Sequence, residues 1–367
     1  MRHVWRAVAT AAVVSATVTS CSLTAREDDG SGAGSGAAST PSSVTTSDGS
    51  GKVVLVVHDS FALPDDLVAS FEKANDIDLE IRQSGDAGEL TNKLVLTQGD
   101  PIGDVSFGVD NAFASRALDA DVFAPADVTL PAGAEAYELA GDDERALVPV
   151  DNGNVCVNVD DTYFTDKGID PPQTFEDLTD PAYKGLFVTE SAAASSPGLA
   201  FLLATIAEYG DDWPAYWERL MANDTRIASS WTDAYQVDFT QGGGNGDKPI
   251  VTSYDSSPAF TVAKGSDTST TSALLDTCFL QVEYAGVLTG AANPEGAKKV
   301  LEWLVSPEVQ AALPDSMYVF PVADGVALPE AWATFAQRPT DPKAVDPAEV
   351  ADRRDEWLQE WTDITTR

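Results

Sequence analysis

Residues 52–111 read KVVLVVHDSFALPDDLVASFEKANDIDLEIRQSGDAGELTNKLVLTQGDPIGDVSFGVDN, and this stretch decides the fold. Lys52 to Val57 is a continuous, mostly β-branched run, the pattern of a buried strand. Pro64-Asp65-Asp66 opens a helix, because proline suits a first turn and acids there complement the helix dipole; Leu67, Val68 and Phe71 share one face. Ile77 to Arg82 alternates as a strand. Glu89 to Gln98 returns to helical spacing, with Leu90, Leu94 and Val95 facing inward. Asp104 to Gly108 is a short third strand that runs out at Asp110-Asn111. Strand, helix, strand, helix, strand is the order of a parallel sheet with crossover helices, so the class is α/β.

The alternation continues outward from this stretch. Val155 to Val159, Leu186 to Thr189, Ile250 to Tyr254 and Cys278 to Glu283 read as strands. Ser196-Pro197-Gly198 opens an apolar helix through Tyr209, with Ser196 as candidate N-cap and Pro197 at the first helical position. Trp213 to Met221, Pro294 to Leu304 and Pro307 to Leu313 read as further helices. The glycine-rich segment 241–246 lacks the Lys-Ser/Thr ending of a phosphate loop and reads as a surface turn.

The first twenty residues have the anatomy of an export signal: Arg2 and Arg6, then a short apolar stretch from Ala7 to Val18. They end Val18-Thr19-Ser20-Cys21, which resembles the lipobox of bacterial lipoproteins, where the Cys becomes the lipidated N-terminus; the other reading is an ordinary signal with an incidental Cys. Residues 21–51 are mostly Ser, Thr, Gly and Ala, the composition of a flexible tether. No later apolar run is long enough to span a bilayer, so Cys21 is the expected membrane contact of a protein working outside the cytoplasm. The folded part is expected to run from Lys52 to about Trp361.

The chain carries 22 Lys and Arg against 59 Asp and Glu, a net charge of −37. That argues against nucleic-acid binding and fits either solubility or attraction of a cationic ligand. His58 is the one histidine after the signal, no Ser sits in a G-x-S-x-G elbow, and no Cys cluster marks a metal, so enzymatic chemistry, metal and cofactor have weak support. Cys156 and Cys278 are an even pair in an oxidising compartment, either bonded or separately buried.

Short polar and aromatic clusters stand at the ends of the strands and at helix starts. They are His58-Asp59-Ser60-Phe61, Gly85-Asp86-Ala87-Gly88, Gly108-Val109-Asp110-Asn111, Ser195-Ser196-Pro197-Gly198, Ser230-Trp231-Thr232-Asp233-Ala234-Tyr235, Tyr254-Asp255-Ser256-Ser257-Pro258-Ala259-Phe260 and Met317-Tyr318-Val319-Phe320-Pro321. In open α/β sheets a ligand sits beyond the carboxyl ends of the strands. The order and wording of these clusters, with Leu280-Gln281-Val282-Glu283 and Val305-Ser306-Pro307-Glu308-Val309-Gln310, resemble the periplasmic thiamine-binding proteins of ABC importers from about Lys52 to Trp361.

That resemblance implies a two-lobed periplasmic-binding-protein fold with a ligand cleft between lobes, residues 52–145 and 285–367 forming one lobe and 146–284 the other. It implies a monomer that binds thiamine or its phosphates and hands them to an ABC permease. It puts Asp86 and Ala87 at one wall, Ser195 and Ser196 at a phosphate end, Trp231 against the ligand, and Tyr254, Asp255, Ser256 and Ser257 on the opposite lobe. His58, Phe260 and Tyr318 stand where the family has Tyr, Tyr and Trp, and Ala87 where Gly is usual. Asp59 and Asp110 complete the expected set. The resemblance also brings Cys156 and Cys278 together near the lobe crossover, so they are expected to be bonded, with Cα atoms about 4.4–6.8 Å apart. Independently, a thiazolium cation suits aromatic faces and acids, and a phosphate suits a helix N-terminus. Binders of a polyamine, ferric iron or an organophosphonate remain alternatives, as does a hydrolase on the same lobes, which the missing triad disfavours.

Overall fold

The structure is a computed structural model that describes residues 48–262 and 265–367. The export signal, Cys21 and nearly all of the tether expected at 21–51 lie outside the described residues.

The first third forms as its local patterns dictate. Strand β1 (Gly51–Val57) lies between β2 (Ile77–Gln83) and β3 (Val105–Asp110), and all three run parallel. Helix α1 (Asp65–Asn75) starts on Asp65 and Asp66 and closes at Asp76 in the left-handed region; α2 (Ala87–Leu96) is capped by the Asp86 carboxylate, which accepts from Ala87 N–H. Helix α3 (Ala114–Asp119) and the short β4 (Phe123–Ala124) follow.

Next comes β5 (Val148–Asp160), buried along its whole length, then α4 (Asp161–Lys167), β6 (Phe187–Glu190), α5 (Ser196–Tyr209), α6 (Trp213–Ala222), β7 (Arg226–Ala228), β8 (Ile250–Tyr254) and β9 (Thr271–Leu288). The chain ends with α7 (Pro294–Leu304), α8 (Pro307–Met317), β10 (Phe320–Pro321), α9 (Glu330–Phe335) and α10 (Pro347–Thr365). The main sheet order is β2-β1-β3-β9-β5-β8-β6-β7. Two parallel trios, β2-β1-β3 and β8-β6-β7, therefore flank the long antiparallel pair β5 and β9. This is the α/β architecture of two halves joined by crossing strands.

Three expectations are corrected. The strand expected at Val155–Val159 begins at Val148, because Asp151, Asn152, Gly153 and Asn154, which look like a turn in isolation, pair across to β9. The strand expected at Cys278–Glu283 is likewise the middle of an 18-residue strand. Ser195, not Ser196, is the N-cap of α5, and its side chain makes no capping hydrogen bond; Ser196 and Pro197 are the first two helical residues. On α10, Val350, Trp357, Trp361 and Ile364 recur at helical spacing and bury against α5 and α6, with the Trp361 ring 5.6 Å edge-on from Trp217. Lys343 N–H also donates to Cys278 O at 2.7 Å.

Cys156 and Cys278 form a disulfide with Cα atoms 4.1 Å apart, closer than expected. It spans a register irregularity between β5 and β9, where Val155 pairs with Phe279 but Val157 with Leu274.

Candidate functional site

A cavity of about 330 Å³ opens where the ends of the two parallel trios face each other. Its wall takes His58, Asp59, Ser60, Phe61 and Ala62 from the segment after β1, Asp86 from the start of α2, and Ser196 and Pro197 from the start of α5. Trp231, Thr232 and Gln236, Tyr254 at the end of β8, Glu283 on β9, and Ser316 to Val319 at the end of α8 complete it. A second cavity of about 370 Å³ lies between residues 125–130 and 138–148. It contains none of the residues expected from sequence and no aromatic ring, so the smaller cavity is the candidate site.

One wall is aromatic. Trp231 stacks on Tyr235 with ring centres 5.0 Å apart and planes 9° from parallel; Tyr254 and Tyr318 lie 6.5 and 6.4 Å from it. Trp231 Nε1–H donates to Ser253 Oγ at 3.0 Å, and Tyr254 O–H to Gln281 Oε1 at 2.7 Å, which fixes both rings. Trp231 leads into a π-helical turn, Thr232–Asp238, a rare geometry that concentrates at functional sites. Tyr318 sits at φ 64°, a conformation a bulky residue rarely adopts. Ser256 holds it there by donating to its carbonyl, and Phe260 packs against its ring at 3.7 Å between centres.

The same cavity is also lined by acids. Asp86 accepts from Ala87 N–H at 2.7 Å and from Trp231 N–H at 3.0 Å, so it ties the β2–α2 turn to the aromatic wall across the two halves. Beside it, Gly88 N–H donates to Ala194 O at 2.9 Å; a Cβ on Gly88 would fall 2.8 Å from that carbonyl, so only glycine allows the approach. Burial pushes the Asp86 carboxyl up to about 6. Burial also raises Asp110, Glu190 and Glu283. Asp151 and Glu283 are directly opposed on β5 and β9, and repulsion from the buried Asp151 adds to the rise of Glu283. The His58 ring lies against Gly108 (φ +106°), where a Cβ would come 2.2 Å from His58 Cδ2. Burial lowers His58 to about 4, so its imidazole is neutral. Its Nδ1 accepts from Ser60 N–H at 3.2 Å, which leaves the proton on Nε2, 3.5 Å from Glu283 Oε1.

Of the residues expected from sequence, His58, Asp59, Asp86, Ser196, Trp231, Tyr254 and Tyr318 reach the cavity wall. The others stand behind it. Ala87 serves Asp86 through its N–H, and Asp110 accepts from Ala112 and Phe113 N–H at 2.9 Å each. Ser195 and Ser196 hydroxyls are buried beside Asp86 and Asp110, yet neither has a hydrogen bond of good geometry. Ser257 bonds Ser253 and Tyr254, while Asp255 turns away to Asn154 and lies 3.9 Å from Arg338. Sequence reasoning missed Glu283, Gln236 and Ser316 as wall residues, and Asp151 and Glu190 behind them. The available signal for Glu283 was a carboxylate inside a mostly apolar strand, Cys278-Phe-Leu-Gln-Val-Glu-Tyr284. Among the described residues no group of three His, Cys, Asp or Glu is arranged to hold a metal ion.

Comparison with known proteins points the same way. The thiamine-binding periplasmic protein of Salmonella typhimurium strain LT2 is 30% identical over 324 residues, 86% of this chain and 94% of that protein. The thiamine-binding periplasmic protein of Brucella suis biovar 1 is 31% identical over 308 residues, covering 81% of this chain and 86% of its own. A solved periplasmic thiamin binding protein superposes with a TM-score of 0.75 at 29% identity, covering 86% of this chain and 96% of that one. Residues 66–340 match the family described as bacterial extracellular solute-binding protein, and the chain belongs to that family.

Proposed function

We propose that this chain captures thiamine, free or phosphorylated, in the cavity between its halves and delivers it chemically unchanged to the permease of an ABC importer. One observation carries the reading. The cavity brings Trp231, Tyr254 and Tyr318 together with buried carboxyl groups, Asp86 and Glu283, that have no Lys or Arg ion pair among the described residues. Acids buried without a cation are costly. A flat, permanently positive ligand satisfies the rings and the acids at once, by ring stacking and by charge. The names of the relatives support thiamine as that ligand. The lobes in this reading are 52–145 with 285 to about 335, and 146–284 with the C-terminal segment.

A phosphate, when the ligand carries one, is placed at the start of α5 by Ser196 and the helix dipole. Ser196→Ala is then expected to weaken the phosphorylated forms more than thiamine. The protein works as a monomer outside the cytoplasm, held at the membrane by a lipid on Cys21. Cys21→Ser releases it into the soluble fraction or blocks its processing, and continued membrane partition after a salt wash would remove the anchor from the account. The deciding experiment is calorimetry with thiamine, its monophosphate and its diphosphate. Heat from at least one sustains the assignment. Silence from all three, with binding of spermidine or ferric citrate instead, moves the chain to another solute.

A further inference from the structure

Glu283 is an acid where a strand would ordinarily place an apolar side chain. It lies on β9, lines the cavity, and is directly opposed across the ladder by Asp151 on β5. Both are buried, and neither makes a Lys or Arg ion pair among the described residues. The titratable groups around Glu283 come from every neighbouring element: His58 after β1, Asp86 before α2, Asp110 on β3, Asp151 on β5 and Tyr254 on β8. None of them is a cation, because burial keeps His58 neutral. Two carboxylates buried face to face cannot both ionise without a large cost, so the empty pair retains a proton.

We propose that Glu283 is the counter-ion for the ligand's fixed positive ring, and that the proton held between Glu283 and Asp151 leaves for solvent when that ring binds. This rests on the reading of the cavity as a thiamine site. The proton balance is simple. The carboxyl O–H of the pair dissociates, the buffer takes the proton, and the new carboxylate faces the ring, which loses and gains no bond. Affinity therefore rises with pH wherever the empty pair is protonated, by up to tenfold for each pH step of about one unit per proton released. Direct charge pairing without proton loss would leave the affinity flat.

The test is calorimetry of thiamine binding to the purified protein in buffers of different ionisation enthalpy at neutral pH. Wild type is expected to release close to one proton, seen as a binding heat that changes with the buffer. Glu283→Gln, which keeps size and shape, is expected to lose that buffer dependence and to bind thiamine at least about 30-fold more weakly. Its affinity for the free aminopyrimidine half of the ligand, which has no fixed charge, is expected to stay as in wild type. Asp151→Asn removes the partner that keeps the proton on Glu283, so it is expected to release less proton while its Glu283 still recognises the charge. Thermal melts of both variants separate loss of fold from loss of charge. Thiamine binding by wild type with buffer-independent heat, or proton release that persists in Glu283→Gln, overturns the inference and leaves the thiamine reading standing. Failure of wild type to bind thiamine removes the reading itself.

Discussion

Trp217 and Glu190 are equally inaccessible to water, yet they are provided for in opposite ways. Trp217, on α6, meets Phe201 and Trp361 edge-on at 5.6 Å each and donates its Nε1–H to Thr205 Oγ1 at 2.9 Å. Its neighbour Tyr216 donates its hydroxyl to Phe175 O at 2.8 Å. Glu190, at the end of β6, has neither carboxyl oxygen in a hydrogen bond. Burying a polar group without a partner costs about 1–3 kcal/mol, and more if it is charged. Within the packed α5–α6–α10 core Trp361 Nε1 alone among the described residues goes unpartnered, whereas the region around the cavity meets the cost repeatedly. Uncompensated polar groups of this kind concentrate where a ligand supplies the missing partner. The contrast separates the part of the molecule built to be stable from the part built to bind.

Substitutions on the two sides are expected to fall on different measurements. Trp217→Ala removes a fully packed ring and is expected to cost about 3–5 kcal/mol in chemical denaturation, with ligand affinity of the folded protein unchanged. Affinity that fell in step with stability would show that the two regions are coupled. Replacing Cys156 and Cys278 by Ala is expected to cost about 2–5 kcal/mol, since the bond pins β5 to β9 at their register irregularity. Free-thiol labelling of the unfolded, unreduced protein should detect neither Cys.

Asp86 gives a pH test. A carboxyl whose pKa is raised on folding makes the folded state bind protons more tightly than the unfolded chain. Its destabilising effect is absent below the usual Asp value and complete once the pH has passed the folded value of about 6. Between about pH 4 and pH 7 wild type is therefore expected to lose about 3 kcal/mol relative to Asp86→Asn, whatever constant offset the lost backbone hydrogen bond imposes. Paired denaturation curves across that range check it, and a constant difference would place Asp86 outside the group of strained acids. On the binding side, Trp231→Ala is expected to cost about 2–4 kcal/mol of thiamine affinity, roughly 30- to 1,000-fold. Titration calorimetry reads it, and a loss under threefold would show that the ring only walls the cavity.

The same division runs through what could be read before the structure was known. β1, α1, β2, α2 and β3 were legible because each is encoded locally: β-branched runs, acids in a first helical turn, apolar residues three and four apart. Half of the expected site residues reached the wall for a similar reason, since they sit at strand ends, where an α/β sheet presents its binding residues. The long strands β5 and β9 were seen only in part. Asp151 to Asn154 carry turn-forming side chains, and only pairing with β9 makes them strand. Asp255 shows the limit for side chains: its place beside Tyr254 was legible, but its turn toward Asn154 and Arg338 was not.

By itself the sequence determined the α/β class and the strand ends that carry candidate binding residues, while it left Cys156 and Cys278 either bonded or separately buried until the family resemblance paired them. Tertiary structure alone decided that α10 joins the α5–α6 core, that Tyr318 is held in a left-handed conformation by Ser256, and that Glu283 faces Asp151. The physical reason is range. Propensity and periodicity act over a few residues and survive in any context, whereas the meeting of two carboxylates depends on the register of strands far apart in the chain, which no local pattern specifies.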